Sequence, residues 1–125
     1  MQLRITSPVG GDAYDDVTYV SLWTSEGQIG VLPGHADLIA TVVAGVVEIR
    51  SAVGTVRGVC GSGFLRIEHD VLYLAVEQWT ADPAAMADPQ RLAQIEAALA
   101  EAPGEATRSK LERERAFVQA CRDAA

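Results

Sequence analysis

The sequence predicts a mainly β fold with an α-helical end: an N-terminal antiparallel β-sandwich followed by a C-terminal antiparallel two-helix hairpin. Three observations support this. Short apolar runs that alternate with polar residues fill the first part of the chain. Ten of the 11 glycines lie in the same part, which suits many tight turns. After Asp82-Pro83, Ala, Glu, Gln, Arg and Leu dominate, and these are good helix formers. We therefore predict two domains, 1–82 and 83–125.

Seven runs rich in Val, Ile, Leu and aromatic residues are predicted to be strands. Alternation of apolar and polar side chains places one face of a strand on a core and the other in water. Leu3 and Ile5 alternate in this way with polar neighbours, and Leu65 and Ile67 do the same. The predicted strands are residues 3–6, 17–22, 29–32, 46–50, 55–60, 64–68 and 71–76. Turn-forming residues separate them, a spacing typical of a sandwich or barrel.

The first predicted helix lies between Asp82 and Pro103-Gly104. Asp82-Pro83 and Asp88-Pro89 each offer an acidic N-cap followed by proline at the first helical position. One apolar stripe recurs at helical spacing, formed by Leu92, Ile95 and Leu99.

The second helix is predicted to begin near Thr107 or Ser109, because Ser109 and Glu112 stand at capping-box spacing. Its apolar stripe is Leu111, Phe117, Val118 and Cys121. Isolated helices of this length are marginal in water, so we expect the hairpin to pack on itself, on the sandwich or on a partner.

Charge is distributed unevenly along the chain. The formal net charge is −7 and the sequence pI is near 4.7. Residues 1–82 hold 4 basic and 10 acidic side chains, whereas 83–125 hold 6 and 7, and five of those six basic residues fall between Arg108 and Arg122. The acidic balance argues against a nucleic-acid binder, which needs a basic footprint.

Cysteine usage and hydropathy predict a protein without disulfides or membrane spans. Cys60 and Cys121 form no Cys-x-x-Cys pair and have no histidine cluster beside them, so we interpret them as buried reduced thiols. The first residues lack the apolar core of a signal peptide. The longest nearly apolar run, 38–47, is far shorter than the roughly 20 residues that a spanning helix needs.

No catalytic or metal-binding motif is found. His35 and Asp37 are close, and His69 and Asp70 are adjacent, but no third ligand accompanies either pair. We interpret His69-Asp70 as a hairpin turn. Gly61-Ser62-Gly63 links two predicted strands, whereas a nucleophile elbow links a strand to a helix. There is no P-loop. The sequence therefore predicts a protein that is not itself an enzyme and holds no metal.

Residues 25–38, SEGQIGVLPGHADL, resemble the E-G-E-x-G-x-x-P-G-H-A-P-L pattern of the epsilon subunit of F-type ATP synthases, called delta in mitochondria. Residues 45–49, GVVEI, resemble the P-G-x-x-x-I strand of that family, and residues 61–67, GSGFLRI, resemble its S-G-G-F-x-E-V segment. Residues 71–75, VLYLA, stand where the family has V-T-V-L-A.

The resemblance implies a sandwich of about ten strands and two C-terminal helices. It implies a non-catalytic central-stalk subunit that joins the gamma subunit to the polar loops of the membrane c-ring in proton- or sodium-driven ATP synthesis. The hairpin would block ATP hydrolysis by reaching the catalytic beta and alpha subunits. The expected location is peripheral, on the cytoplasmic face of the bacterial inner membrane. The alternative is a free-standing β-sandwich module with a helical docking tail.

Carried over residue by residue, the resemblance assigns a loop that contacts the c-ring or gamma: Glu26, Gln28, Pro33, Gly34 and His35. Gln28 replaces the usual acidic residue, so a hydrogen bond would stand in for a charge pair. Asp37 stands where proline is usual.

A regulatory basic helix is the second assignment, formed by Arg108, Lys110, Arg113 and Arg115. On one interpretation these residues form a solvated face with pairs such as Arg108–Glu112 and Lys110–Glu114. On the other, they contact an acidic segment of the beta subunits in an inhibited state.

A weak nucleotide motif is the third assignment. Asp88 and Arg91 supply the D-x-x-R core of the ATP-binding motif that some bacterial epsilon subunits carry, but Ala87 and Leu92 depart from it. Pro89 makes Asp88 a helix N-cap, which occupies its carboxylate. We therefore expect no cofactor, with ATP as a regulatory ligand the less favoured alternative.

Overall fold

The computed structural model describes residues 1–124, which form ten strands followed by three helices. The strands are β1 (Gln2–Ser7), β2 (Gly10–Tyr14), β3 (Val17–Thr24), β4 (Gly27–Val31), β5 (Leu38–Val42), β6 (Gly45–Ser51), β7 (Gly54–Cys60), β8 (Gly63–Glu68), β9 (Val71–Val76) and β10 (Trp79–Thr80). The helices are α1 (Pro83–Met86), α2 (Pro89–Ala100) and α3 (Glu105–Ala124). A β-sandwich of about ten strands followed by helices is thus confirmed.

The strands form one continuous sheet that folds over into two layers. Its order is β10-β7-β6-β3-β5-β8-β9-β1-β2, with β4 attached to the outer edge of β3. The end of β3 joins the layers, because Thr24 there pairs with Val42 of β5. On the opposite side, the indole Nε1 of Trp79 donates to the Asp12 carboxylate at 2.7 Å and brings β10 next to β2.

One strand pair departs from the antiparallel prediction. β1 pairs with β9 in parallel, with Leu3 opposite Leu72 and Ile5 opposite Leu74. The two strands are far apart in sequence, so no hairpin fixes their direction. Alternation within each strand predicts its buried face but not its neighbour.

The sandwich core is formed by the inward side chains of both layers. Leu3, Ile5, Leu65 and Ile67 are all buried there, as their alternation predicts. Residues on the opposite face of a strand point away from this core. On β7, Cys60 belongs to the sandwich core whereas Val59 faces the helices.

The helices form a second, smaller core on the outside of the sheet. Its buried members are Leu92, Ile95, Leu99, Phe117, Val118 and Cys121 from the helices and Val59 from β7. Val46 of β6 packs against the same cluster. The predicted apolar stripes of α2 and α3 therefore face each other and this patch of the sandwich.

The helix boundaries correct two expectations. α3 begins at Glu105, directly after Pro103-Gly104, because the Gly104 carbonyl accepts from the Arg108 amide at 3.0 Å. Ser109 therefore lies inside the helix and does not cap it. α1 is a separate four-residue helix, and the Asp82 side chain makes no capping hydrogen bond.

Asp88 caps α2 as predicted, since its carboxylate accepts from the Gln90 amide at 2.9 Å. No helix within residues 1–124 is long and apolar enough to cross a membrane.

Candidate partner-binding site

Glu26 lies in the two-residue turn between β3 and β4. Thr24 shapes this turn: its hydroxyl donates to the Gly27 carbonyl at 2.8 Å and accepts from the Glu26 amide at 3.2 Å. Gly27 has φ +120°, a conformation that side chains with a Cβ rarely adopt. The turn exposes the Glu26 carboxylate, which forms no ion pair within residues 1–124.

Pro33, Gly34 and His35 form a tight turn in the loop between β4 and β5. The His35 amide donates to the Leu32 carbonyl at 3.2 Å, and Gly34 has φ +83°. Proline followed by a residue with positive φ is the pattern of a type II turn. The exposed His35 ring contacts the backbone of the next residue, with Nδ1 2.6 Å from the Ala36 carbonyl oxygen.

The turn between β8 and β9 holds this loop in place through two hydrogen bonds. The Gly34 amide donates to the Asp70 carboxylate at 2.8 Å, and the His69 amide donates to the Asp37 carboxylate at 3.3 Å. His69 and Asp70 form the β8–β9 hairpin turn with φ values of 51° and 63°. Two consecutive positive φ values are typical of a type I′ turn. Asp37, in the place where proline is usual, thus acts as an acceptor that joins the two turns.

The predicted contact residues lie on β4 and at both of its ends, and the predicted strand 29–32 overlaps β4. Glu26 lies at the start of β4, whereas Pro33-Gly34-His35 follows its end. Five residues of strand separate them, which corresponds to about 16 Å. Gln28 lies within β4, opposite Trp23 of β3. The segment therefore presents two contact points at opposite ends of the sandwich, joined by β4.

Three of the four side chains of the predicted basic helix contact acceptors on other elements, whereas Lys110 forms no ion pair within residues 1–124. Arg113 forms an ion pair with Glu77, after β9, at 2.8 Å. Arg115 forms one with Glu96 of α2 at 3.3 Å. Arg108 donates to the Leu99 carbonyl at the end of α2, at 3.3 Å.

The predicted pairs along the helix are wrong within the described part of the chain. Glu114 is engaged by Arg91 of α2, whose Nε lies 2.8 Å from its carboxylate, and not by Lys110. Arg108 contacts the Leu99 carbonyl instead of Glu112. α2 and the sandwich offer these side chains acceptors across the interface, and the sequence spacing of a single helix does not reveal them.

The weak nucleotide motif is occupied by contacts within the chain. Asp88 caps α2, and Arg91 binds both Glu114 and, at 3.4 Å, Gln94. The two side chains are therefore used to begin α2 and to hold it against α3.

The two thiols are buried. Burial raises the pKa of Cys60 to about 12 and that of Cys121 to about 11. Each is a free cysteine, and no group of three or more metal-ligating side chains occurs within residues 1–124. The prediction of buried reduced thiols agrees with this arrangement.

Sequence reasoning missed three acidic residues that organise the site: Asp70, Glu77 and Glu96. Each acts on a segment at least 19 residues away in sequence. Only Asp70 carried a signal, as part of the predicted His69-Asp70 turn.

Comparison with known proteins identifies a family model and related sequences that match this chain. Residues 1–81 match the family model described as ATP synthase, Delta/Epsilon chain, beta-sandwich domain. The chloroplastic ATP synthase epsilon chain of Pinus thunbergii is 33% identical over 121 residues, covering 93% of this chain and 88% of that one. The ATP synthase epsilon chain of Sulfurovum sp. is 39% identical over 71 residues, and that match spans only 56% of either chain.

Solved structures share the fold. A chain of the Euglena gracilis mitochondrial ATP synthase superposes with a TM-score of 0.71 at 22% identity, covering 98% of this chain and 79% of that one. A chain of the Tetrahymena thermophila mitochondrial ATP synthase central stalk and c-ring gives 0.67 at 12% identity, covering 99% and 95%. On the sequence matches, this chain belongs to the ATP synthase delta/epsilon chain family and is an epsilon-type member of it.

Proposed function

We propose that this chain is a non-catalytic subunit of the central stalk of a rotary, ion-translocating ATP synthase. It would join the gamma subunit to the polar loops of the c-ring, peripheral to the membrane on the cytoplasmic face. The observation that carries the proposal is the match to an ATP synthase epsilon chain along 93% of the chain, sandwich and hairpin together.

A coupling block must transmit torque without deforming, and the sandwich has suitable properties. Its strands form one hydrogen-bonded sheet around one apolar core. Such interiors are close-packed and have low compressibility. The proposed contact points at Glu26 and His35 lie at opposite ends of this block, so that a load applied at one end would reach the other through β4 and its neighbours.

Gln28 would contact the c-ring by hydrogen bonding. A neutral amide forms weaker bonds than a carboxylate facing a basic residue. The coupling would therefore depend less on ionic strength than a charge pair at this position would.

The helical hairpin would regulate ATP hydrolysis. In this arrangement Arg108, Arg113 and Arg115 are directed to acceptors within the chain, and the Arg113–Glu77 pair joins the hairpin to the sandwich. This pair is about half exposed, so it contributes at most about 1 kcal/mol. Its release would free Arg113 for an acidic segment of the catalytic subunits.

Two truncations test the division of function in the assembled ATP synthase. Removal of 83–125 should leave most proton-coupled ATP synthesis intact, whereas removal of 1–82 should abolish it. Equal losses from both truncations would contradict the division into a coupling block and a regulatory hairpin.

A charge-removal series tests the regulatory role. Simultaneous replacement of four residues by Ala should raise ATP hydrolysis by the assembled complex: Arg108, Lys110, Arg113 and Arg115. Arg122→Ala, in the last turn of the same helix, is the matched control and should leave hydrolysis unchanged. Unchanged hydrolysis in the fourfold variant would refute the role.

ATP binding is not expected, because a nucleotide at Asp88 and Arg91 would have to displace the α2 cap and the contact with Glu114. Titration calorimetry of the full chain with millimolar ATP should give no binding heat. Binding heat that is lost in Arg91→Ala would establish ATP as a ligand instead.

A further inference from the structure

β4 is an edge strand whose outer backbone groups are unpaired. Residue Trp23 faces Gln28 across the β3–β4 ladder, yet the Trp23 carbonyl accepts from Val43 on the other side of β3 at 3.1 Å. Because the Trp23 carbonyl points away from β4, Trp23 and Gln28 form a non-hydrogen-bonded pair of the antiparallel ladder. In such a pair the backbone N–H and C=O groups of both residues point away from the partner strand. The N–H and C=O groups of Gln28 therefore face outward, and those of Gly30, two residues on, do the same.

No backbone or side-chain hydrogen bond reaches these groups in the part of the chain that the structure describes. Exposed strand edges normally carry Lys, Pro or a bulge that prevents pairing with another chain. β4 has the sequence Gly-Gln-Ile-Gly-Val, with no charge and no proline. Its edge is therefore open to an added strand.

The opposite layer has a second open edge on the same side of the sandwich. The Thr41 carbonyl of β5 accepts from the Ser25 amide at 3.0 Å, so the polar groups of Thr41 face outward from β8. By alternation those of Ile39 also face outward, and the Ile39 side chain is 76% exposed. β3 ends at Thr24, which pairs with Val42, so that Ile39 has no neighbouring strand on the side away from β8.

Between the two edges lies a cleft of about 370 Å³. Ile29 and Leu38, both only partly buried, pack on the sandwich core at its floor. Glu26 lies at one end of the cleft, and none of its lining residues is basic. A strand added to β4 would direct alternate side chains over this cleft, and its end would pass the Glu26 carboxylate.

We propose that β4 binds an extended segment of the gamma subunit as an added strand. The segment would carry apolar residues at alternate positions, over Ile29 and Leu38, and a Lys or Arg opposite Glu26. Main-chain hydrogen bonds supply affinity in this mode of recognition, and side-chain pockets supply specificity. The inference rests on the proposed function, in which gamma is fixed to the sandwich; β4 is the strand that joins its two predicted contact points.

Hydrogen exchange in the purified complex of this chain with gamma tests the proposal. In the free chain the Gln28 and Gly30 amides should exchange quickly, while the Ile29 amide, which faces β3, is protected. In the complex the Gln28 and Gly30 amides should lose their rapid exchange. Binding of gamma without that loss would overturn the strand proposal and leave the proposed function standing, whereas failure to bind gamma would overturn both.

Two variants at one position separate backbone from side-chain recognition. Gln28→Pro removes the outward amide, and proline is tolerated on edge strands whose N–H faces solvent. Loss of that hydrogen bond should weaken gamma binding up to about tenfold. Gln28→Ala keeps the backbone amide and removes only the side chain, which the proposed function assigns to the c-ring, so binding to isolated gamma should change by less than about twofold.

Equal weakening by both variants would show side-chain recognition and overturn the proposal. Protection of the Gln28 and Gly30 amides in a free chain that sediments as a dimer would assign the edge to a second copy, and would also overturn it. If Gln28→Pro does not fold, the exchange measurement on the unaltered chain decides alone.

Discussion

Replacement of Val59 by Ala tests how the hairpin is attached to the sandwich. Val59 is fully buried and is a sandwich residue that belongs to the helical core, where it packs among Ile95, Phe117 and their neighbours. The change removes two buried methyl groups from the contact between the two parts of the chain.

The expected loss of free energy can be calculated from the buried groups that are removed. Two methyl groups at about 0.8 kcal/mol each give about 1.6 kcal/mol of lost transfer free energy. The cavity left behind brings the loss to about 2–3 kcal/mol. A loss of 2 kcal/mol raises the population of the undocked hairpin about 30-fold.

Hydrogen exchange of the full chain measures this population. In Val59→Ala the amides of α2 and α3 should exchange faster, while those of β8 and β9 stay as protected as before. Val47→Ala is the matched control, because Val47 is equally buried but belongs to the sandwich core. It should lower the protection of the sandwich strands. Uniform acceleration throughout the chain in both variants would refute the claim that the hairpin has its own core and a limited attachment.

Three further outcomes are expected. Gly34→Ala should destabilise the chain by about 1–2 kcal/mol in urea unfolding, because φ +83° is strained for a residue with a Cβ; no change in the midpoint would exclude the type II turn. Asp88→Ala should cost about 1 kcal/mol through loss of the α2 cap, whereas Asp82→Ala, with no capping bond, should be nearly neutral by the same measurement. Stability should also fall as the pH rises above about 9, because in the unfolded chain Cys60 and Cys121 ionise near 9.0 but in the folded chain only near 12 and 11. A Cys60→Ala, Cys121→Ala double variant should flatten that decline.

The alternation of side chains made most strands predictable, and composition located the change from strands to helices. Leu65 and Ile67 face the core as predicted, because burial of one strand face depends on local sequence alone. The apolar stripe through Ile95 was predictable for the same reason at helical spacing.

Contacts between distant segments were not predictable. The bond from Gly34 to Asp70 and the Arg113–Glu77 pair each join residues 36 apart in sequence. Such pairings depend on which strands become neighbours, which no single strand encodes. The separation of Glu26 from His35 was predictable by contrast, because residues 29–32 were predicted to be a strand between them. The open edge of β4 emerges only when its hydrogen-bonding register is known.

Purification of this chain together with gamma tests the central claim most directly. If the chain is the foot of the central stalk, a stoichiometric complex of the two proteins should survive size-exclusion chromatography, and it should form with residues 1–82 as well as with the full chain. Failure of the full chain to bind gamma would contradict the account and favour a free-standing β-sandwich module with a different partner.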